Sequence, residues 1–433
     1  MSKDKEINDE EGREDLFGDR ENSGEKGMLA EDVNYGLMCS SHSPPHQKVR
    51  LCETNQSTDL NYDGFCSSEG KLGYSSGAEP QDADYSYIPS LSNELEVLIL
   101  ARVPREEHWK FYLLNKYFLQ LLRNGELFKI RREIGLKEST VFMLPMGDRY
   151  WWAFDGQFKS WRKLPRLPAD DCFRDGDKES ISAGSHLIVS GKEMEGTVVW
   201  RFELETNRWY RGPGMINPRC LFASATCGTY AFVAGGKVIG FEGDFKVVDS
   251  AEKYNPETKS WHPLPRMHRQ RELCSGCFMD NKFYVIGGKN EKGNYLTCGE
   301  AYDNEKGLWE LIPNMLEGIP LQRCQSPPLI AVVNNELYSL ETLSNELRLY
   351  LKSSKTWKNL GPVPFSAGSA GGWGVAFKSL GKELLVIGPS FGGPMPIYTC
   401  CPQPDADELK WTHVECDRCG LNQFILNCCV MVA

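Results

Sequence analysis

No run of this 433-residue chain stays apolar for the roughly 18 residues that a membrane-crossing helix needs. The opening residues, Met1-Ser-Lys-Asp-Lys-Glu-Ile-Asn-Asp-Glu10, hold nothing like the apolar stretch of a secretory leader. A cysteine fourth from the end, which prenylation requires, is also missing, because Cys429 is fifth. These absences predict a protein of the nucleus and/or cytoplasm with no membrane partner. Histidine is scarce, with His42, His46, His108, His186, His262, His268 and His413 dispersed along the chain. No pair has the His-Glu-x-x-His spacing of a zinc hydrolase, and no phosphate-binding loop ends in Gly-Lys-Ser/Thr. His262 and His268, beside Trp261 and the loop after it, are the only plausible sources of a general base, and nothing in the sequence completes a catalytic set around them.

Acidic charge is present but confined. The formal net charge is -10, yet residues 1–87 alone carry 8 Lys/Arg against 19 Asp/Glu, a net of -11, which leaves +1 for the rest. A near-neutral body argues against a broad nucleic-acid-binding face. The 16 cysteines, in a chain with no secretory leader, are expected to be reduced and to pack as small apolar side chains. Cys274-Ser-Gly-Cys277 and Cys416-Asp-Arg-Cys419 have the gap of zinc knuckles, but they are far apart and lack a finger-spaced histidine pair. Neither a metal nor a cofactor is expected.

Three regions follow from composition. Residues 1–87 are rich in Asp, Glu, Ser, Asn and Gly with scattered apolar positions, which predicts a disordered acidic arm. Residues 88–135 change character. Leu91, Leu95, Leu98 and Ile99 share a helical face, and Val103-Pro104 ends that helix. Trp109, Leu113, Tyr117, Phe118 and Leu121 form a second stripe, stopped by Asn124-Gly125. Leu127, Ile130 and Ile134 mark a third short helix. Three helices in so short a stretch make a marginal core, so a partner or the next domain is expected to complete it. Arg102, Arg131 and Arg132 in this segment are expected to be solvated.

Residues 139–433 repeat. Trp161, Trp209, Trp261, Trp309, Trp357 and Trp411 are spaced 48, 52, 48, 48 and 54 apart, a period typical of blades or solenoid turns. An aromatic stands seven residues before five of them: Phe154, Phe202, Tyr254, Tyr302 and Tyr350. Apolar strands end in Gly235-Gly236 and Gly287-Gly288, with partial versions at Ser190-Gly191 and Gly388-Pro389 and none at Leu340-Glu341. Asn255-Pro-Glu-Thr-Lys259 reads as the turn between the third and fourth strands. Six anchors imply a mainly β fold, a propeller of six four-stranded blades. Residues 424–433 supply one strand with nothing after it, which is expected to enter the first blade beside Val141–Leu144 and close the ring.

The Gly-Gly strand, the Glu-x-Tyr-Asp/Asn strand and the Trp strand resemble the kelch repeat. The run Ile88-Pro89-Ser-Leu91-Ser92-Asn-Glu-Leu95, then Leu98-Ile-Leu-Ala101-Arg-Val-Pro104 and Leu114 to Leu122, resembles an F-box, departing from it at Ser92 and Phe118. The combination is similar to the plant-type F-box/kelch-repeat family. That resemblance implies a substrate receptor of an SCF-type ubiquitin ligase, with no catalytic residue of its own, bound to a Skp-type adaptor and through it to a cullin. It implies adaptor contacts at Pro89, Leu91, Leu95, Leu98, Val103, Pro104, Leu114 and Phe118. In the resembling receptors, arginines of the crossings between blades bind acidic or phosphorylated peptide segments. The corresponding candidates are Arg219, Arg269, Arg271 and Arg323, with the alternative that they pair with neighbouring carboxylates and lock the ring. The rival readings are a kelch scaffold without a ligase role and a metal-dependent propeller enzyme.

Overall fold

The computed structural model describes residues 91–239, 245–320, 325–364, 371–389, 394–403, 409–416 and 424–433, with backbone alone at Glu106, Trp109, Tyr112 and Ile239. The expected disordered arm lies outside the described residues. All described residues belong to one compact unit.

Helix α1 spans Asn93–Ala101, and Ser92 caps it by accepting the Leu95 N–H at 3.4 Å. The second stripe is not one helix. It divides into a 3-10 helix, Arg105–Leu113, and α2, Lys116–Arg123. Asn115 makes the division, because its side chain accepts the Phe118 N–H at 2.9 Å and restarts the helix there. Gly125, at φ +75, turns the chain into α3, Glu126–Glu133. Val97, Ala101, Phe111, Phe118, Leu121, Leu122 and Leu127 fill the space between the helices.

The rest is a ring of six four-stranded antiparallel sheets. Strands are numbered here from the channel outward. Blade 1 is Ile425–Val432, Ser139–Pro145, Trp152–Asp155 and Trp161–Lys163; blade 2 is Lys178–Ala183, His186–Glu193, Gly196–Glu203 and Arg208–Arg211. Blade 3 is Ala223–Cys227, Tyr230–Ala234, Ala251–Asn255 and Ser260–Leu264; blade 4 is Ser275–Met279, Lys282–Ile286, Gly299–Asp303 and Leu308–Ile312. Blade 5 is Leu329–Val333, Glu336–Glu341, Glu346–Leu351 and Thr356–Pro362; blade 6 is Ala376–Leu380, Glu383–Ile387, Ile397–Cys400 and Thr412–His413. The first strands neighbour one another around the ring. A small extra sheet, Arg219–Cys220, Lys237–Ile239 and Phe245–Val247, projects at blade 3 and has no counterpart in the sequence reading.

The closing strand is where the sequence puts it. Ile425–Val432 runs antiparallel to Ser139–Pro145, with Val141 opposite Val430 and Leu144 opposite Asn427. Its side chains divide between two cores. Cys429 and Met431 enter the one between blades 1 and 2, while Ile425 and Cys428 enter the one between blades 6 and 1.

The Trp period has a direct structural cause. In all five copies the aromatic seven positions earlier lies opposite its Trp across the 3–4 hairpin. A left-handed residue two before Trp, at Asn207, Lys259, Gly307 and Lys355, fixes that register in blades 2 to 5. Four pairs stand with ring centroids 5.1–5.3 Å apart, tilted by 45–54°, a geometry worth about 1 kcal/mol beyond area burial. Each of these indoles also reaches back one blade. Trp209, Trp261, Trp309 and Trp357 donate to the main-chain oxygens of Pro165, Pro213, Pro265 and Met315 at 2.8–3.1 Å. Two anchors depart from this. Trp161 is 39% exposed and stacks on Trp152 at 4.6 Å; the blade before it is blade 6, whose outer strand is only Thr412–His413. The Trp411 N–H is buried without an acceptor.

Paired glycines stand where backbones crowd. A Cβ on Gly235 would lie 2.5 Å from Arg271 O, and one on Gly236 2.4 Å from Cys220 O, so a larger residue would push a crossing off the sheet. The strand register puts Glu341-Thr342, not Leu340-Glu341, at the equivalent place in blade 5, because Leu340 opposes Leu329 as Ile286 opposes Ser275.

The helices are fastened to the ring. Phe128 of α3 joins the core between blades 1 and 2. Arg105 donates to Ala433 O at 3.2 Å and Glu138 O at 3.1 Å, and also reaches the Thr140 hydroxyl. Arg131 is buried rather than solvated. It donates to Ala101 O and Val103 O at 2.7 and 2.8 Å and pairs with Glu138 at 2.7 Å, because the turn after α1 leaves those carbonyls without helical partners. Arg102 and Arg132 are exposed.

Deleting residues 424–433 exposes the Ser139–Pro145 edge and empties positions in two cores. At about 1.5–3 kcal/mol for each large buried side chain, the expected outcome in thermal unfolding followed by circular dichroism is a loss of most of the stability. An unchanged melting temperature would show that closure does not depend on this strand.

Candidate functional site

The ring has two unlike faces. The 1–2 and 3–4 turns lie on one, and the 2–3 connections and blade-to-blade crossings lie on the other. The helical module sits on the turn face at blades 1 and 2. Arg105 grips the start of strand Ser139–Pro145, and Gly125 lies against Glu205, in the 3–4 turn of blade 2.

On the module, the candidate adaptor residues fall into three groups. Leu95 and Leu114 are exposed, at 50% and 49%. Leu91, Leu98 and Val103 are half-buried and Pro104 is exposed. Phe118 is a core residue, 3% exposed with its ring tilted against Phe111 at 6.0 Å, so it supports the module from within instead of offering a contact. Pro89 lies outside the described residues. Ile99, Leu113 and Tyr117 are exposed too, although the sequence stripes point to them as core positions. Leu95 and Ile99 are one helical turn apart on α1 and share a face. Leu113, Leu114 and Tyr117 flank the break between the 3-10 helix and α2, and it is that break, made by Asn115, that turns the stripe outward.

His108 anchors the underside of this module. Its ring stacks on Phe111 at 5.3 Å and its Nε2 lies 3.1 Å from Val103 O. Burial lowers its pKa to about 4, with Arg131 acting in the same direction, so it stays neutral at physiological pH.

Two of the crossing arginines, Arg219 and Arg271, are not available to a ligand. Arg219 is buried and its guanidinium is consumed by Asn217 O, Gly235 O, Ser250 O and the Glu252 carboxylate, the last at 2.5 Å. Arg271 repeats the arrangement with Gly287 O, Cys298 O and Glu300 at 2.7 Å. Glu252 also takes the N–H groups of Ile216 and Asn217, and Glu300 those of His268 and Arg269. Each Arg–Glu pair thus ties a crossing, a glycine-pair strand end and a third strand together. As candidate target contacts, Arg219 and Arg271 are withdrawn in favour of the ring-locking alternative. The physical reason is that a guanidinium ten residues after Trp lands where main-chain carbonyls converge, three at Arg219 and two at Arg271. Arg269 is exposed, and Arg323 lies outside the described residues. In blade 5 the polarity is reversed. Arg348 stands where Glu252 and Glu300 stand, two before the aromatic, and its guanidinium lies 3.5 Å from Glu346 and 3.8 Å from Glu341.

Chemistry-bearing groups elsewhere serve local structure. His262 bonds the Ser260 hydroxyl at 3.0 Å, whereas His268 bonds Glu300 at 3.0 Å. Cys274 packs between blades 3 and 4 and Cys277 between blades 4 and 5, so the two sulfurs point into different cores and cannot share an ion. Burial pushes their thiols up to about 11 and about 12. Ten described cysteines are free, as the sequence suggests, whereas Cys416 is disulfide-bonded. One Gly-x-Ser-x-Gly run does occur, Gly388 to Gly392. A nucleophile elbow requires it to join a strand to a helix. Here the next described element after strand Glu383–Ile387 is strand Ile397–Cys400, and Ser390 lies outside the described residues.

Comparison with known proteins agrees with this geometry. A kelch motif family model matches residues 240–268 and 270–316. The chain is 53% identical over 421 residues to the Arabidopsis thaliana F-box/kelch-repeat protein At3g27150, covering 94% of this chain and 99% of that one. It is 36% identical to F-box/kelch-repeat protein At1g26930, over 79% of this chain and 83% of that one, and 37% identical to F-box/kelch-repeat protein SKIP11, over 82% and 77%, both from Arabidopsis thaliana.

Removing one member of a buried ion pair leaves the other charge stranded, at a cost of about 3–5 kcal/mol. Arg271→Ala is therefore expected to lower the urea midpoint sharply, while Arg269→Ala stays within about 0.5 kcal/mol of the parent. Equal midpoints for the two variants would return Arg271 to the list of candidate ligand contacts.

Proposed function

Because the chain belongs to the F-box/kelch-repeat proteins, we propose that it is the substrate-recognition subunit of an SCF-type ubiquitin ligase in the nucleus or cytoplasm. In this reading the helical module docks on a Skp-type adaptor, and through it a cullin, and the propeller holds the protein to be modified. The observation that carries the reading is the exposure of Leu95, Ile99, Leu113, Leu114 and Tyr117 on a module whose interior is already filled. A helical stretch this short rarely leaves so many large apolar side chains in water unless a partner covers them.

The work of such a subunit is geometric. It forms no bond; it raises the effective concentration of a target lysine near the charged enzyme. That requires a stiff connection, and the Arg105–Glu138–Arg131 cluster supports one. With the helices on the turn face, the opposite face is left for the target. The exposed apolar side chains of the 2–3 connections, Met146, Met194, Phe245 and Leu343, favour that face.

Leu95→Asp combined with Leu114→Asp is expected to lower capture of purified Skp-type adaptor at least tenfold in a pull-down, with the melting temperature nearly unchanged because both side chains are half exposed. Undiminished capture by the double variant would refute adaptor docking through this face.

A further inference from the structure

Blades 1 and 3 share a local design where the fourth strand leaves for the next blade. Phe154 lies opposite Trp161 as Tyr254 lies opposite Trp261, and the chain after each Trp passes through the same three residues, Leu164-Pro165-Arg166 and Leu264-Pro265-Arg266. The two prolines have equivalent roles, since Pro165 O accepts the Trp209 indole at 2.9 Å and Pro265 O the Trp309 indole at 2.8 Å. Five residues before the aromatic the two blades part. Blade 3 has Asp249 there, and it takes Arg266 in an ion pair at 2.8 Å. Blade 1 has Arg149. The positions that hold a salt bridge in blade 3 thus hold two arginines, Arg149 and Arg166, in blade 1.

Both arginines stand on firmly placed backbone. Arg149 follows Asp148, whose carboxylate accepts the Tyr150 N–H at 3.1 Å, the Trp152 indole at 2.6 Å and the Lys163 ammonium at 3.1 Å. Arg166 lies between Pro165 and Pro168, each with its φ fixed by the ring. The two arginines are exposed, line one cleft on the face opposite the helices, and enter no hydrogen bond or ion pair among the described residues. The other charged groups lining that cleft are engaged. Asp148 is held as above, Arg174 pairs with Asp171 and Asp175, and Lys178 donates to the main-chain oxygens of Arg174 and Gly176. Two exposed apolar side chains stand beside it. Met146 is two residues before Asp148, and Met194 donates its N–H to Asp170, next to Ala169 of the cleft wall.

We infer that this cleft takes the phosphoryl group of a phosphorylated serine or threonine in the target protein, held between the guanidiniums of Arg149 and Arg166. The inference deepens the receptor reading and rests on it. Charge selects the occupant. One carboxylate compensates one guanidinium, as Asp249 does in blade 3. Two unpaired guanidiniums are matched by a group with close to two negative charges and three acceptor oxygens, which a phosphoryl group has at neutral pH. The methionines select a protein segment over a free anion, because only a chain running past the phosphate covers them. Pinned backbone on both sides reduces the ordering that binding would otherwise require.

The test uses the full chain and three fluorescein-labelled pools of nonapeptides with mixed flanking residues, one with a fixed central phosphoserine, one with serine and one with aspartate. In fluorescence anisotropy the phosphoserine pool is expected to bind about tenfold or more tightly than either of the others, and inorganic phosphate is expected to displace it only weakly. Arg149→Asp rebuilds the blade 3 ion pair with Arg166, so it is expected to abolish the preference while leaving the melting temperature no lower than the parent's. Arg166→Gln is expected to abolish the preference too, while Lys306→Gln, at an exposed cation on the opposite face, leaves it intact. Equal binding of the three pools, no binding of the phosphoserine pool at millimolar concentration, inorganic phosphate binding as tightly as that pool, or a preference that survives both arginine variants would overturn the proposal. Adaptor capture is measured on the same samples. If the phosphoserine preference holds and adaptor capture fails, the cleft stands and the ligase reading falls; the opposite pattern removes the cleft alone.

Discussion

A twisted four-stranded sheet has two apolar faces, and a blade standing alone can bury neither. Every blade of this ring therefore depends on both neighbours, and the ring depends on its join. Here the join is made by strand Ile425–Val432, which supplies the inner strand of blade 1 and side chains to the cores on both sides of it. The same strand ends at Ala433, whose main chain exchanges hydrogen bonds with Glu138 and accepts one from Arg105. Ring closure and attachment of the helices are thus one structural event, carried by the last residues of the chain. The ring therefore cannot loosen at its join without also loosening its grip on the helices, a coupling that the proposed receptor role would use.

Between blades, the connections are polar where the cores are not. Each indole staple joins a Trp to the blade before it, and each Arg–Glu lock fixes the crossing that follows. These are buried groups with most of their donors placed, the Arg271 Nε excepted, so their net contribution over a hydrophobic replacement is small, whereas the penalty for breaking one half is large. Such groups specify geometry more than they add stability. They hold the crossing backbones against the glycine pairs, and they explain why residues that look like ligand contacts in the sequence serve as fasteners in the structure.

Much of the architecture was legible because it is periodic. Trp spacing, the aromatic seven positions earlier and the unaccompanied last strand all have one-to-one counterparts in strand pairing. What was not legible depends on single residues acting locally. Asn115 splits a helical stripe that the apolar pattern reads as continuous, and in doing so moves Leu113, Leu114 and Tyr117 outward and Phe118 inward. The arginines at Trp plus ten were visible, but burial is a property of the whole crossing and no spacing rule reports it. A signal for it was present nonetheless: the Glu two before each aromatic, at Glu252 and Glu300, recurs in the blades that carry the arginine, and blade 5 swaps it for Arg348.

The same logic decides where recognition can be. Residues that repeat in several blades are spent on building the ring, since they take the same kind of partner wherever the pattern holds: Trp on a main-chain oxygen in blades 2 to 5, Arg on Glu and Gly under a crossing in blades 3 and 4. A feature that distinguishes one target from another has to come from positions where copies differ. Three such places stand on the face away from the helices: the Arg149 and Arg166 positions at blade 1, the extra sheet at blade 3 and the long crossing with its short hairpin at blade 5. The extra sheet leaves Phe245 exposed beside Lys237, which is itself paired with Glu272 next to Leu273. Irregularity at crossings and 2–3 connections distinguishes the sectors of the ring without disturbing the closure on which every blade depends.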